Sequence, residues 1–272
     1  MRKALNQFPI HLVLIILSLI SMVPLYFMLI TAFKSKADFL ESPFGFPRRL
    51  SLEHLTWLFE HGLARQLGNT ILLTVLACLI GISLGALAAF SFARMRFPGQ
   101  NILFNGTIAL MALPGIIVII PLYATMAKLG LLNSYFGASL VYAGFMLPFS
   151  IFVLTSFFRT IPNEILDAAR IDGCGDFGML LRIILPMSKP ALLTLFIVNS
   201  LGVWNDLLVA LLMLQRNEMR TVVVELALLQ SKYSSNIPLT LAGSLFVGLP
   251  VVIAFIFGQR YFVQGLASGA IK

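Results

Sequence analysis

Charge is scarce along most of this 272-residue chain: 11% of its residues are Asp, Glu, Lys or Arg, against 59% that are hydrophobic. Six windows bounded by basic residues (Lys3 to Lys34, Arg65 to Arg94, Arg96 to Lys128, Lys128 to Arg159, Lys189 to Arg216, Lys232 to Arg260) run for 26 to 31 residues, and Asp206 is the one charge inside them. A soluble fold of this composition would leave most of its apolar surface in water and is excluded. A helix of ~20 apolar residues crosses the hydrocarbon core, so each window is long enough to span. The chain reads as a polytopic membrane protein.

Cysteine and histidine are nearly absent too. Cys78 falls in the second window and Cys174 in a charged loop, at different depths, so neither a disulfide nor a metal site is expected. His11, His54 and His61 lie near or in the first span and the outer segment, far in sequence from Asp206, and fit no metal spacing, which argues against a membrane-embedded enzyme. The spans carry no ionisable relay or filter ring, which argues against a stand-alone channel or a proton-coupled secondary carrier. No internal repeat splits the chain into the two halves of many secondary transporters. No Gly-x-x-x-x-Gly-Lys-Ser/Thr loop is present to cradle nucleotide phosphates. No cleavage site follows the apolar stretch that runs to Phe33, so it reads as a retained first helix rather than a signal peptide.

What is there predicts an all-α single membrane domain over residues 1–272, with spanning helices at 11–33, 69–93, 102–126, 136–158, 191–214 and 239–262. An outer loop over 34–68 holds an amphipathic stretch near 52–59, whose Leu52, Leu55, Trp57, Leu58 and Phe59 would face a membrane surface or a partner. Gly81 and Gly85 have the small-xxx-small spacing that lets helices approach closely, or the spacing is chance. Pro114, Pro121, Pro148 and Pro250 would kink their helices, either to line a path or as packing features. The formal charge of +8 is divided between two membrane faces rather than directed at nucleic acid. With both termini placed inside, the inner segments hold net +6 on ten Lys/Arg and the outer segments net +3 on nine, and the shorter inner segments favour this orientation.

The loop over 159–190 is the informative one. Pro162, Glu164 and Asp167 suit a helix start and Gly173 a helix stop, which predicts a short helix over 163–172. Ile165, Ala168, Ala169 and Ile171 would form its small apolar surface, ringed by Glu164, Asp167 and Arg170. Phe177, Leu180, Leu181 and Ile184 then repeat at helical spacing up to Pro186. For an arbitrary loop, a solvated connector would be the simpler reading. Here Asp167-Ala168-Ala169, Asp172-Gly173-Cys174 and Ile183-Ile184-Leu185-Pro186 follow one another at fixed spacing. That order resembles the signature of permease subunits of binding-protein-dependent ABC importers, Glu-Ala-Ala, Asp-Gly-Ala and Ile-x-Leu-Pro. Asp167 stands where the family usually has Glu, and Cys174-Gly175 replace Ala-Ser. Phe92 to Gly99, Leu113-Pro114-Gly115, Trp204-Asn205-Asp206 and Gln259 to Lys272 look like the carbohydrate-uptake branch, of maltose and glycerol-phosphate permease type.

The resemblance implies a six-helix permease of a bacterial or archaeal inner membrane with both termini cytoplasmic, working by alternating access. It implies two ATP-binding partner subunits that hold ATP and Mg, a second permease subunit of different sequence, and an extracytoplasmic sugar-binding protein. It assigns ATPase coupling to Glu164, Asp167, Ala168, Ala169, Asp172 and Gly173. Trp204, Asn205 and Asp206 are candidates for the substrate path, where amide, carboxylate and aromatic groups could meet a sugar; the structural alternative is that Asp206 caps or pairs locally. No Lys or Arg lies within an expected span, which favours a neutral sugar over a phosphorylated one.

Overall fold

The structure, a computed structural model, describes the backbone at residues 2–233 and 236–270 and the side chains at 10–233, 236–253, 255 and 256. Among the described residues there is helix and no strand. In hydrocarbon a helix satisfies each backbone polar group within its own segment, which a lone strand does not. Among the described residues, three helices are long and apolar enough to cross a membrane: Ile10–Ala32 within α1 (Arg2–Ala32), α4 (Leu63–Arg94) and α7 (Tyr135–Arg159). Two bent pairs bring the number to five if each counts as one span. A further apolar stretch, Ile237–Ile253, opens α14 (Ile237–Ala270).

The chain divides into two compact units: residues up to Ala64 with Glu225–Pro250, and Arg65–Val224 with the chain beyond Val251. In the first, α1 is almost wholly exposed, with 6% of its apolar window buried, as suits a helix facing acyl chains. Lys34, fully buried, closes the turn after α1 by donating from Nζ to the carbonyls of Ser42 (2.7 Å) and Pro43 (3.0 Å), beyond α2 (Lys36–Glu41). In α3 (Glu53–Glu60) His54 and Leu58 are buried. Leu58 does not lie on a free surface as its sequence context suggests: it packs near Gly243 of α14, within 4.0 Å of where a Cβ would stand. Trp57 stacks on His61 at 3.8 Å and meets Tyr233, past α13 (Val222–Lys232), edge-on at 5.6 Å.

In the second unit α4 and α7 approach closely. A Cβ at Gly81 would stand 3.2 Å from the Ala143 backbone, and one at Gly85 would stand 2.8 Å from the Ser150 Cβ. The small-xxx-small spacing therefore marks a real helix contact, of the kind lipid-embedded packing favours.

The expected helix 102–126 is two helices, α5 (Gln100–Ala109, extended by a 3₁₀ turn to Ala112) and α6 (Gly115–Lys128), which meet at 102°. The reason is local: Leu113 precedes proline and is pushed extended (ψ 121°), Pro114 is extended as well (ψ 122°), and two such residues turn the axis by about a right angle. The expected helix 191–214 is interrupted too. It runs as α11 (Lys189–Asn205), breaks at Asp206 (ψ 130°), and resumes as α12 (Leu208–Met213).

Candidate functional site

Within loop 159–190 the structure forms α8 (Asn163–Ile171), a glycine turn, and a second helical stretch, α9 (Asp176–Met179), a π turn (Leu180–Ile184) and α10 (Leu185–Met187). Glu164 in the first turn of α8 and Arg170 in the last complement its dipole. Gly173 has a φ of +80°, and the amides of Gly173 and Cys174 close the helix end on the carbonyls of Arg170 (3.0 Å) and Ala169 (2.9 Å). Nothing lies within 4 Å of a Cβ at Gly173, so backbone conformation alone demands glycine there.

Leu166 and Ala169 turn inward. They join a core made by Ala86, Ala89 and Phe90 of α4, Leu154 and Phe158 of α7, Met179, Leu180 and Ile184 after the turn, and Leu195 of α11. Glu164, Asp167, Ala168, Asp172 and Gly173 are exposed, as are Ile165, Ile171 (87%) and Phe177 (65%). Of the residues singled out from sequence, Ala169 is thus a seat for α8, Glu164, Ala168, Asp172 and Gly173 are exposed away from it, and Asp167 is exposed on the face shared with Asn163, Leu166 and Arg170. Asp167 pairs with Arg170 at 3.0 Å in an exposed position, which contributes little to stability.

Arg94 is the residue that sequence reasoning passed over. The last residue of α4, it donates from Nη1 to Asn163 Oδ1 (2.7 Å) and from Nη2 to the carbonyls of Phe158 and Ile161. One guanidinium therefore ties the end of α4 to the end of α7 and the start of α8. A basic residue at a helix end, where carbonyls lack partners, was the available signal.

At the α11/α12 break, Asp206 Oδ1 accepts from the Val209 amide (2.8 Å), the Ala210 amide (3.3 Å) and the Tyr142 hydroxyl (2.8 Å). The acid caps α12, and these bonds satisfy a half-buried carboxylate that would be costly to leave unpartnered. Asp206 and Tyr142 line a cavity of about 350 Å³ together with Ile116, Phe145, Phe149 and Asn199. Trp204 is buried and Asn205 turns its side chain to the Leu201 carbonyl (2.9 Å), and neither lines that cavity. Cys78 and Cys174 are both free thiols. No cluster of three or more His, Cys, Asp or Glu able to hold a metal ion occurs among the described residues.

Residues 81–267 match the family model described as the binding-protein-dependent transport system inner membrane component. Among curated relatives, the arabinooligosaccharides transport system permease protein AraQ of Halalkalibacterium halodurans is 30% identical over 261 residues, 94% of this chain and 93% of that one. The melibiose/raffinose/stachyose import permease protein MelC of Bacillus subtilis is 32% identical over 252 residues, 92% and 91% of the two chains. Among solved structures, a bacterial ABC transporter involved in the import of the acidic polysaccharide alginate aligns with a TM-score of 0.84 at 22% identity, over 96% of this chain and 97% of that chain, a likeness of fold.

Proposed function

This chain belongs to the binding-protein-dependent transport system inner membrane components, and from that premise we propose that it forms, with a second permease subunit, the translocation path for a sugar or oligosaccharide. It is the multi-pass membrane permease of an ATP-driven importer and makes no covalent bond itself. The sugar class is supported by relatives named for arabinooligosaccharide and melibiose, raffinose and stachyose transport. The chain crosses the membrane six times with both termini cytoplasmic. Two partner ATPases hold ATP and Mg, and an extracytoplasmic binding protein delivers the sugar.

The observation that carries the mechanism is the seating of α8. Its inner side is fixed to the core of α4, α7 and α11 through Leu166, Ala169 and Arg94, and its outer side offers Ile165, Ala168 and Ile171 with Glu164 and Asp172 beside them and Asp167 at the flank. A push received on the outer side has no slack to lose before it reaches the spanning helices. Moving a two-state transporter from mostly one state to mostly the other needs about 5.5 kcal/mol of differential binding, which closure of the ATPase pair supplies. In the path, Asp206 is the candidate contact, held by Tyr142, and it leaves Asn199 and the rings of Phe145 and Phe149 to shape the cavity.

The test is Ile171→Asp, which places a charge on the most exposed apolar side chain of α8 without touching its seat. The permease should reach the membrane at the normal level, lose the co-purifying ATPase pair and lose uptake by at least about tenfold, the factor that 1.4 kcal/mol of lost docking gives. An undiminished ATPase complex with normal uptake would overturn the assignment.

A further inference from the structure

Arg94, Arg96, Arg159 and Arg170 line one cavity of about 480 Å³ whose walls hold a single carboxylate, Asp167. Asp167 is already paired with Arg170, and among the described residues no other acid lies within ion-pair distance of these arginines. Arg94 spends its terminal nitrogens on Asn163 and two carbonyls, yet its Nε is buried with no hydrogen-bond partner. The Arg159 guanidinium is steadied 5.3 Å from the centre of the Phe104 ring, with Nη2 on the Phe92 carbonyl at 3.3 Å. A concave site with an excess of three positive charges is built for an anion. The coupling function described above uses Arg94, Leu166 and Asp167 from these walls and leaves Arg96, Arg159 and the excess of positive charge unexplained.

The surroundings of the cavity select the anion. Asn101 lines it, and the next two residues of α5, Ile102 and Leu103, are apolar and 79% and 57% exposed. The cavity is formed where α4 and α7 end and α5 begins, the level at which spanning helices leave the hydrocarbon for the headgroups. Basic pockets between spanning helices at that depth take lipid headgroups. We propose that this cavity binds the phosphodiester headgroup of an anionic membrane lipid, with its acyl chains along the Ile102 and Leu103 side of α5. The bound headgroup bridges α4, α5, α7 and the base of α8, so lipid composition adjusts how firmly the coupling helix is anchored. The lipid source rests on the reading that this loop lies at the cytoplasmic membrane surface.

The experiment uses the assembled transporter, purified from its native membranes in nonionic detergent and titrated with short-chain phosphatidylglycerol, short-chain phosphatidylcholine or inorganic phosphate, with binding read by native mass spectrometry. Wild type should retain phosphatidylglycerol in preference to phosphatidylcholine, and Arg96→Gln/Arg159→Gln should bind it roughly 30-fold more weakly, about fivefold per arginine. Arg48→Gln/Arg49→Gln removes the same charge from the outer loop and should bind like wild type. If the double variant does not assemble, Arg96→Gln alone, at an exposed side chain, should weaken binding about fivefold. Equal retention of the two lipids, unchanged binding in Arg96→Gln/Arg159→Gln, or displacement of the lipid by equimolar inorganic phosphate would overturn the proposal. So would a double variant that sheds the ATPase pair while keeping its lipid, because the pocket would then receive an acidic side chain of that partner. None of these readouts measures uptake or sidedness, so they fail separately from the transport assignment.

Discussion

Gly173 shows how much one residue decides. An L side chain at its φ of +80° costs roughly 1–2 kcal/mol and tilts the turn that sets α8 against α9. Gly173→Val should leave the amount of protein in the membrane unchanged and lower ATP-driven uptake at least about tenfold, since a tenfold loss needs only 1.4 kcal/mol; normal transport by that variant would show that the turn geometry is dispensable. His54 gives a pH dependence of definite sign. Burial lowers its pKa below the ordinary 6.5, against a smaller opposing pull from Glu53. The folded state therefore keeps His54 neutral while the unfolded chain takes up a proton as pH falls below 6.5, and stability declines through that range until the folded group also titrates. Thermal midpoints of the purified protein should drop between pH 7.5 and 5.5, and His54→Phe should flatten that slope; an identical slope in the variant would refute the linkage. Glycine at 173 was legible in sequence because left-handed backbone is a local demand. The inward turn of Ala169 was not, because which side of α8 is buried depends on residues such as Phe90 and Leu195 that are distant along the chain.

Between elements, the α4–α7 contact has no room to spare. Gly85→Leu would drive a side chain into Ser150, where a Cβ already stands 2.8 Å away, and overpacking of this kind costs about 1–3 kcal/mol. Gly68→Leu on the same helix meets nothing within 4 Å. Melting in detergent should separate the two, with Gly85→Leu several degrees lower and Gly68→Leu near wild type; equal melting would mean that the two helices part more readily than their spacing suggests. The glycine pair was visible in sequence, but its partner helix was not. The bends behave similarly. Proline after Leu113 announces a break, while the 102° turn arises from two consecutive extended residues, and the break at Asp206 depends on Tyr142, 64 residues away, sharing the carboxylate. A hydropathy pattern registers neither, because both halves of each interrupted segment are apolar.

At the scale of the whole molecule, sidedness is the testable quantity. Cys78 is fully buried and Cys174 partly exposed, so Cys174 reports the position of the coupling loop alone. It should resist impermeant thiol reagents in intact cells and react in inverted vesicles; the opposite pattern would reverse the orientation. The sequence by itself determined the membrane as solvent, the helical class and the short helix-glycine-helix loop, because apolar length, charge exclusion and left-handed glycine are properties of single segments. Tertiary structure alone decided which side of α8 is a seat and which a surface, the clamp made by Arg94, the capping role of Asp206 and the meeting of four arginines. Each of these depends on groups brought together from distant segments, where burial and hydrogen bonding are set by the packed neighbours rather than by the local run of residues.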